Sequence, residues 1–361
     1  MIVYTFGIFI TMTLGYLYSE YKKHFKCKIA VRTFENKKKY INVDFYKFIP
    51  MVPLAVIAGI RYDVGQDYMY TYVPIFEKVL KGNINEAWGE KGYIYLNKFV
   101  TLFTDDYAGI FILSSIIFVF FVFISIYEES DNISLSVMLL VCTGYYFCFL
   151  NGLRQMLAVS IILFSIKYIQ NRNIVKFILC MVIAVMIHYS VLVFAPMYFV
   201  FNKKWTNFKM VIAIIIAFIL SSFISDLLIK IIAHTKYSWY LDSIYKAERK
   251  GIIMILINIV ILIFAMIFNK NEKNEIYIKL QFLAVITTAF IGKIPIAHRL
   301  LWNFGLPSII LIPNVIACQK SKRTRIISNI LLFVVYMIYF FYTIGIKNSN
   351  NVLPYKTIMN R

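Results

Sequence analysis

Four short groups of polar residues interrupt a strongly apolar sequence, and each has side chains suited to an anionic or hydroxyl-bearing substrate. In the first, running from Gly59 to Tyr68, Arg61 is followed by Asp63, Gly65 and Asp67. A guanidinium there can clamp an anion beside a carboxylate, and carboxylates four apart share a face if the stretch is helical. Gly65 permits a tight turn. The plainer reading is an Arg–Asp cap at a helix end. In the second group, Asn151 precedes Arg154 and Gln155, which open an apolar run. A helix N-terminus favours anions, and a guanidinium beside it suits phosphate; the alternative is an arginine snorkelling at the interface. The third is His188, between Ile187 and Tyr189 in an aliphatic stretch. It is either structural or, as a neutral imidazole, a general base. The fourth is His298 with Arg299, preceded by Lys293. It is either an interfacial anchor or another phosphate ligand.

There is no D-x-D triplet, no G-x-x-x-x-G-K-[ST] loop and no H-E-x-x-H helix. These absences argue against an ATPase, a zinc protease and a soluble-type nucleotide-sugar transferase.

The elements that must hold these groups are membrane spans. Apolar residues make up 60% of the 361 and charged residues 16%, too little polar surface to cover a soluble fold. Ala108–Tyr127 and Met210–Ser225 carry no charge, and about 20 residues cross a hydrocarbon core as a helix. The apolar runs lie at 1–19, 45–60, 106–127, 133–150, 153–169, 174–200, 210–232, 252–268, 279–294, 300–317 and 326–346. They do not alternate polar with apolar, which excludes a barrel. The expected fold is all-α: a polytopic membrane helical bundle of about 11–12 transmembrane or half-transmembrane helices. Residues 1–361 form a single integral membrane domain. The net charge of +20 sits in short loops, the pattern of topology signals and not of a nucleic-acid surface. Cys27, Cys142, Cys148, Cys180 and Cys318 form no C-x-x-C pair and read as small apolar residues. The first run has no basic residue ahead of it and a basic stretch behind it, which reads as a retained span with its N-terminus outside.

Lys22, Lys23, Lys26, Lys28, Arg32, Lys37, Lys38 and Lys39 mark the loop Tyr21–Tyr40 as cytoplasmic. Residues 61–106 are then outside. Within them Tyr68, Tyr72, Ile75, Phe76 and Val79, and more loosely Tyr93, Leu96, Val100 and Phe103, follow a helical period. Both stretches read as short extracytoplasmic interfacial helices. Ile174–Val200 is long for one crossing and short for two. A pair of half-length helices meeting near His188 returns the chain to the cytoplasm, whereas a single crossing reverses every later loop. The dense cluster Lys320, Lys322, Arg323 and Arg325 favours the returning pair. Arg61, Asp63, Asp67, Asn151, Arg154, Gln155, His188, His298, Arg299, Tyr355 and Lys356 then share the outer side, and such a gathering on apolar helices marks a site.

In this order, these groups resemble the EpsG family of Wzy-like polysaccharide polymerases. The residues that carry the resemblance are Arg61 to Tyr68 with Tyr72, Glu90 to Tyr93, Arg154 and Gln155, Ile187 to Ser190, Arg299, and Pro354 to Lys356, spanning about residues 43–358. Gln66 departs from the small hydroxyl residue expected there. The resemblance implies a glycosyltransferase that joins oligosaccharide repeat units on the outer face of the bacterial inner or plasma membrane. Donor and acceptor are both carried on undecaprenyl diphosphate, with a flippase and a chain-length regulator as partners. No cofactor or metal is implied. On this view Arg61, Arg154 and Arg299 hold the diphosphate and His188 or Asp67 is the base. Burial and nearby arginines favour a neutral imidazole, while a carboxylate beside Arg61 is ionised but weakly basic. Asp63, Asn151, Gln155, His298, Tyr355 and Lys356 contribute to binding diphosphate or glycan, and Tyr68 and Tyr72 stack on sugars. An O-antigen-ligase-like transferase, a lipid-linked oligosaccharide flippase and a non-catalytic scaffold are the competing classes.

Single cysteines at positions 38, 88 and 356, in a background without the native ones, test the orientation. An impermeant maleimide applied to intact cells should label 88 and 356 only. Labelling at 38 overturns the orientation; silence at 356 alone overturns only the returning pair.

Overall fold

A bilayer offers backbone amides no water, so a spanning segment must satisfy its hydrogen bonds internally. The computed structural model meets that condition with helices. It describes residues 1–24, 28–32, 38–42, 44–201, 203, 205–235, 238–241, 251–295 and 297–361. Lys26, Lys37, Cys27 and Ile296 lie outside them.

The chain opens with α1 (Ile2–His24). Within the basic loop lies an antiparallel ribbon, β1 (Lys28–Arg32) and β2 (Lys38–Asn42), with Lys28 opposite Asn42. A 3-10 stretch over Phe45–Met51, capped by the Asp44 side chain, leads into α2 (Val52–Gly59). The segment after Arg61 forms a π-helical turn, Tyr68–Tyr72, continuous with α3 (Val73–Leu80), and then α4 (Lys91–Val100). The remaining helices are α5 (Ala108–Glu129), α6 (Ile133–Cys142), α7 (Tyr145–Asn151), α8 (Leu153–Gln170), α9 (Ile174–Ile187), α10 (Met197–Val200), α11 (Asn207–Ala233), α12 (Ile252–Phe268), α13 (Glu275–Thr288), α14 (Ala297–Gly305), α15 (Ser308–Ala317) and α16 (Lys322–Phe340).

Among the described residues, six helical stretches are long and apolar enough to cross a membrane: α1, α5, α8, α11, 297–317 and 322–346. The pair α6–α7 is a seventh, bent by 50°. Its bend has an identifiable cause, Gly144 at φ +95°. The stretches 45–59, 174–187, 189–200 and 252–268 are apolar but shorter. Apart from the short ribbon, the fold is therefore a helical, multi-pass membrane bundle that mixes full and partial spans. Burial separates its layers. Of the spanning windows, 78% of α8 and 89% of 297–317 are buried, against 11% of α11 and 22% of 322–346. Hence α8, α14 and α15 are central, while α11 and α16 turn most of their apolar surface outward.

Contacts sort the connections onto two ends. At one, Lys22 Nζ donates to Tyr127 O, Lys167 pairs with Glu128 at 2.7 Å, and Tyr277 donates to Glu129. Lys279 Nζ donates to Phe201 O at 3.0 Å and to Lys203 O at 3.1 Å, so the chain after α10 is at this end too. The rings of Phe177, near the start of α9, and Tyr198, in α10, lie 5.3 Å apart. A straight helix through His188 would separate them by about 30 Å. The chain therefore reverses at His188, which is extended (φ −157°, ψ 122°) between α9 and the 3-10 stretch Tyr189–Phe194.

At the opposite end the tail closes over α1 and α2. Tyr4 donates to Val352 O, Arg61 bridges to Thr357, and Gly65 N donates to Asn351 O. The interfacial segment folds largely as its periodicity indicates, with Tyr68, Tyr72, Ile75, Phe76, Val79, Tyr93 and Val100 buried. Phe103 is the correction. The helix ends at Val100, the helical period ends with it, and Phe103 is exposed.

Gly65 has φ +95°, and a Cβ there would stand 2.5 Å from the Leu150 carbonyl oxygen. Gly65→Ala should cost at least about 2 kcal/mol, adding displaced backbone to the dihedral penalty. Gly82 has φ +80° with nothing within 4 Å of such a Cβ, so Gly82→Ala should cost only about 1 kcal/mol. Melting temperatures in detergent compare the two; equal losses would show that the Leu150 contact is immaterial.

Candidate active site

The polar groups at the tail end divide into a buried scaffold and a partly accessible cluster. Arg61 belongs to the scaffold. It is fully buried; its guanidinium donates to Ala58 O and, at 3.4 Å, to Leu150 O. It lies 4.8 Å from the Phe111 ring centroid and 5.7 Å from that of Tyr68. A desolvated cation over aromatic faces gains up to about 2 kcal/mol. Arg61 therefore does not reach a diphosphate in this conformation, because carbonyls and rings occupy its guanidinium. Tyr68 and Tyr72 are no sugar platform either. Tyr68 is fully buried, stacked at 3.9 Å on Phe111 and bonded to Arg61 O; Tyr72 is buried and bonded to Asn151 O.

Asp63 and Asp67 do not share a face. Asp63 sits at φ +51° in an irregular turn and pairs with Lys356 at 3.5 Å. Tyr355 donates to Ile57 O, so Asp63, Tyr355 and Lys356 together dock the tail. Asp67 turns inward to Arg299, 3.9 Å away, and not to Arg61. Burial pushes its carboxyl above the ordinary range, and Arg299 and Arg154 only partly offset this.

Asn151 and Gln155 are brackets. The Asn151 side chain accepts from Asp67 N at 3.0 Å, and Gln155 donates to Arg299 O at 2.8 Å. They tie the Asp67 turn and α14 to the sharp junction of α7 with α8. That junction is Gly152, whose Cβ would strike the Trp302 ring at 2.8 Å. Trp302 faces two ways. Its centroid is 5.9 Å from the Arg299 guanidinium and 5.8 Å from the His298 ring, and it lines an open cavity with Tyr145, Asn258, Leu301, Tyr336 and Tyr339.

The second cluster contains His188, Asp67 and Arg299, which are partly exposed, together with Arg154 and Glu90, which are buried behind them. Glu90 Oε2 is 2.6 Å from Arg154 Nη1, and Glu90 Oε1 is 2.7 Å from His188 Nδ1. The His188 contact is at ion-pair distance without an aligned N–H···O bond. Tyr189 N donates to the same oxygen at 3.3 Å. Burial pushes the Glu90 carboxyl up, but His188 and Arg154 outweigh it and hold the group below its ordinary range. The Arg154 guanidinium lies 4.6 Å from the ring centroid of Trp88, which is itself exposed.

The segment Trp88–Tyr93 is built for this contact. Gly89 has φ +144°, and a Cβ there would meet Arg154 Nη1 at 2.8 Å; one on Gly92 would meet Met186 O at 2.6 Å. Sequence reasoning assigns Glu90 and Trp88 no individual role. Their signal was the pair of glycines flanking an acid between two aromatic residues. Among the described residues, no group of three or more His, Cys, Asp and Glu is placed to hold a metal ion.

A family model described as the EpsG family matches residues 44–357, and no curated protein or solved structure matches the chain. The chain belongs to the EpsG family, which is a family of Wzy-like polymerases.

Ionising Asp67 costs free energy in the folded chain, because burial raises its carboxyl above its unfolded value. Asp67→Asn should therefore raise the melting temperature at pH 7. The gain should fade as pH drops through the raised folded value towards the unfolded one, about 3.9. A lower melting temperature at pH 7 would mean that the Arg299 pairing outweighs burial.

Proposed function

We propose that this EpsG-family chain polymerises oligosaccharide repeat units carried on undecaprenyl diphosphate, at the outer face of the bacterial inner or plasma membrane. One observation carries the reading: Arg154, Arg299, Asp67, Glu90 and His188, from five separated segments, meet at one end of an apolar bundle. Lys22, Lys167, Arg172, Lys176, Lys203, Lys273 and Lys322 belong to the opposite end, and under the positive-inside rule they support a cytoplasmic assignment of that end.

The chemistry follows from the residues. An acceptor hydroxyl oxygen attacks the anomeric carbon of the donor, and the bond from that carbon to the diphosphate oxygen breaks. The diphosphate leaves with the electron pair, stabilised by Arg154 and Arg299. His188 takes the hydroxyl proton, with Asp67 the rival base. At rest each arginine already faces a carboxylate, so an arriving diphosphate competes with Glu90 and Asp67 and does not meet bare charge. The Trp302 cavity, beside Arg299 and rich in aromatic residues, suits the first isoprene units of a carrier. Exposed Trp88 and Tyr189 take the sugar-stacking role that the buried tyrosines cannot. A ligase-like transfer would use the same groups; the family match favours polymerisation.

Arg154→Ala and Arg299→Ala should each cut polymer formation by about 10²–10³ at normal protein level, with poor rescue by Lys, which lacks the bidentate fork. Wild-type polymer from either would make that arginine an anchor. His188→Gln should retain the lipid-linked donor in detergent yet form no polymer. Full activity in His188→Gln with none in Asp67→Asn transfers the base to the carboxylate.

A further inference from the structure

We propose that Glu90 is a positioning residue that couples donor binding to proton abstraction: one carboxylate, shared between Arg154 and His188, passes to His188 when the donor diphosphate engages Arg154. The proposal rests on the reading of His188 as base.

Three observations support it. First, the two carboxylate oxygens are divided. Oε2 faces Arg154 Nη1 at 2.6 Å and Oε1 faces His188 Nδ1 at 2.7 Å, with the Glu90 side chain only 9% exposed. Second, Glu90 occupies the N-cap position of α4, yet its side chain makes no cap bond to that helix; it is spent across the gap to α8 and α9. Third, the approach is built in, because side chains at Gly89 and Gly92 would collide with Arg154 Nη1 and Met186 O.

Charge then does the coupling. At rest Arg154 and Glu90 compensate one another, and so do Arg299 and Asp67. A diphosphate on Arg154 competes for that guanidinium and leaves the Glu90 charge facing His188 alone. With Nδ1 turned to Glu90, Nε2 is the nitrogen left for the acceptor hydroxyl. It takes the proton as the new C–O bond forms and the diphosphate departs, and the imidazolium is stabilised across Nδ1 by the carboxylate. The charged and titratable groups on the described elements packed against His188 are Glu90 at the N-cap of α4, Lys91, Tyr93, Tyr95 and Lys98 of α4, Arg154, Lys167 and Tyr168 of α8, His298 and Arg299 of α14, and the adjacent Tyr189. Of these, Glu90 alone is in contact with both partners.

The test uses full-length chain in proteoliposomes, with lipid-linked repeat units purified from cells lacking the chain, and inorganic pyrophosphate as the binding probe. Glu90→Gln should bind pyrophosphate at least as tightly as wild type, since Arg154 loses its resident anion. Its turnover should fall by about 10²–10⁴, the usual share of a general base, and the acid limb of its rate profile should move to lower pH. Wild type carries a second readout that needs no variant. The acid limb of kcat, which reports the bound enzyme, should lie at higher pH than that of kcat/KM, which reports the free enzyme. Coincident limbs in wild type overturn the coupling, as does loss of pyrophosphate binding in Glu90→Gln, or lost turnover with an unmoved acid limb. Wild-type turnover in Glu90→Gln beside a dead His188→Gln also overturns it while sparing His188 as base. An active His188→Gln removes the underlying reading instead.

Discussion

Arg154 enters the bundle in the first turn of α8, among apolar residues, where an unpaired guanidinium would be costly to bury. Glu90 makes that burial tolerable, and much of the surrounding structure exists to deliver Glu90. The chain leaves α3, passes Trp88 over the guanidinium, threads two glycines past a nitrogen and a carbonyl, and starts α4 with an acid turned away from its own helix. Removing either partner of such a pair strands a buried charge, so the loop, the helix start and the α9 terminus hold their positions together.

The other buried arginine is handled differently. Among the described residues Arg61 has no carboxylate in contact; it is held by carbonyls and ring faces, and by a tail that makes a single β-bridge beside it. That tail also fixes the 61–67 turn, through Gly65 and Lys356, and so sets where Asp67 emerges opposite Arg299. The tail beside a fully buried arginine thus sets the placement of a partly exposed acid. The two arginines look alike in sequence, each at the end of an apolar run. The aromatic rings that enclose Arg61 cannot be read from such a run, but the neighbours can: Arg61 is followed by a chain that turns back over it, whereas Arg154 opens a helix.

The bundle itself was legible because membrane spans are written in composition. Long uncharged runs, basic loops and the break at His188 each have a direct physical cause, and Phe177 beside Tyr198 matches the expected reversal. Much of the candidate cluster was legible as well, since ionisable residues in apolar sequence stand out: Arg154, Asp67, His188 and Arg299 meet. What failed was partner assignment. Spacing placed Asp63 with Asp67 and Asp67 with Arg61, but positive φ at Asp63 and Gly65 turns the segment and sends the two acids to different partners. Tyr68 and Tyr72 were misjudged for a related reason, because a helical period marks a buried face and cannot say what covers it. Glu90 lay hidden in a loop of mixed charge, where a carboxylate is ordinarily solvated.

The reversal at His188 also bears on how such a chain can change over time. The segment 174–200 leaves one end of the bundle and comes back to it, so it adds an even number of passages. Everything downstream keeps its sidedness whether that hairpin is long, short or rebuilt. Its tip is therefore the part of the polar cluster freest to vary in depth and shape without inverting α11 through α16. A lineage could reshape the tip there while the arginine-bearing helices stay fixed.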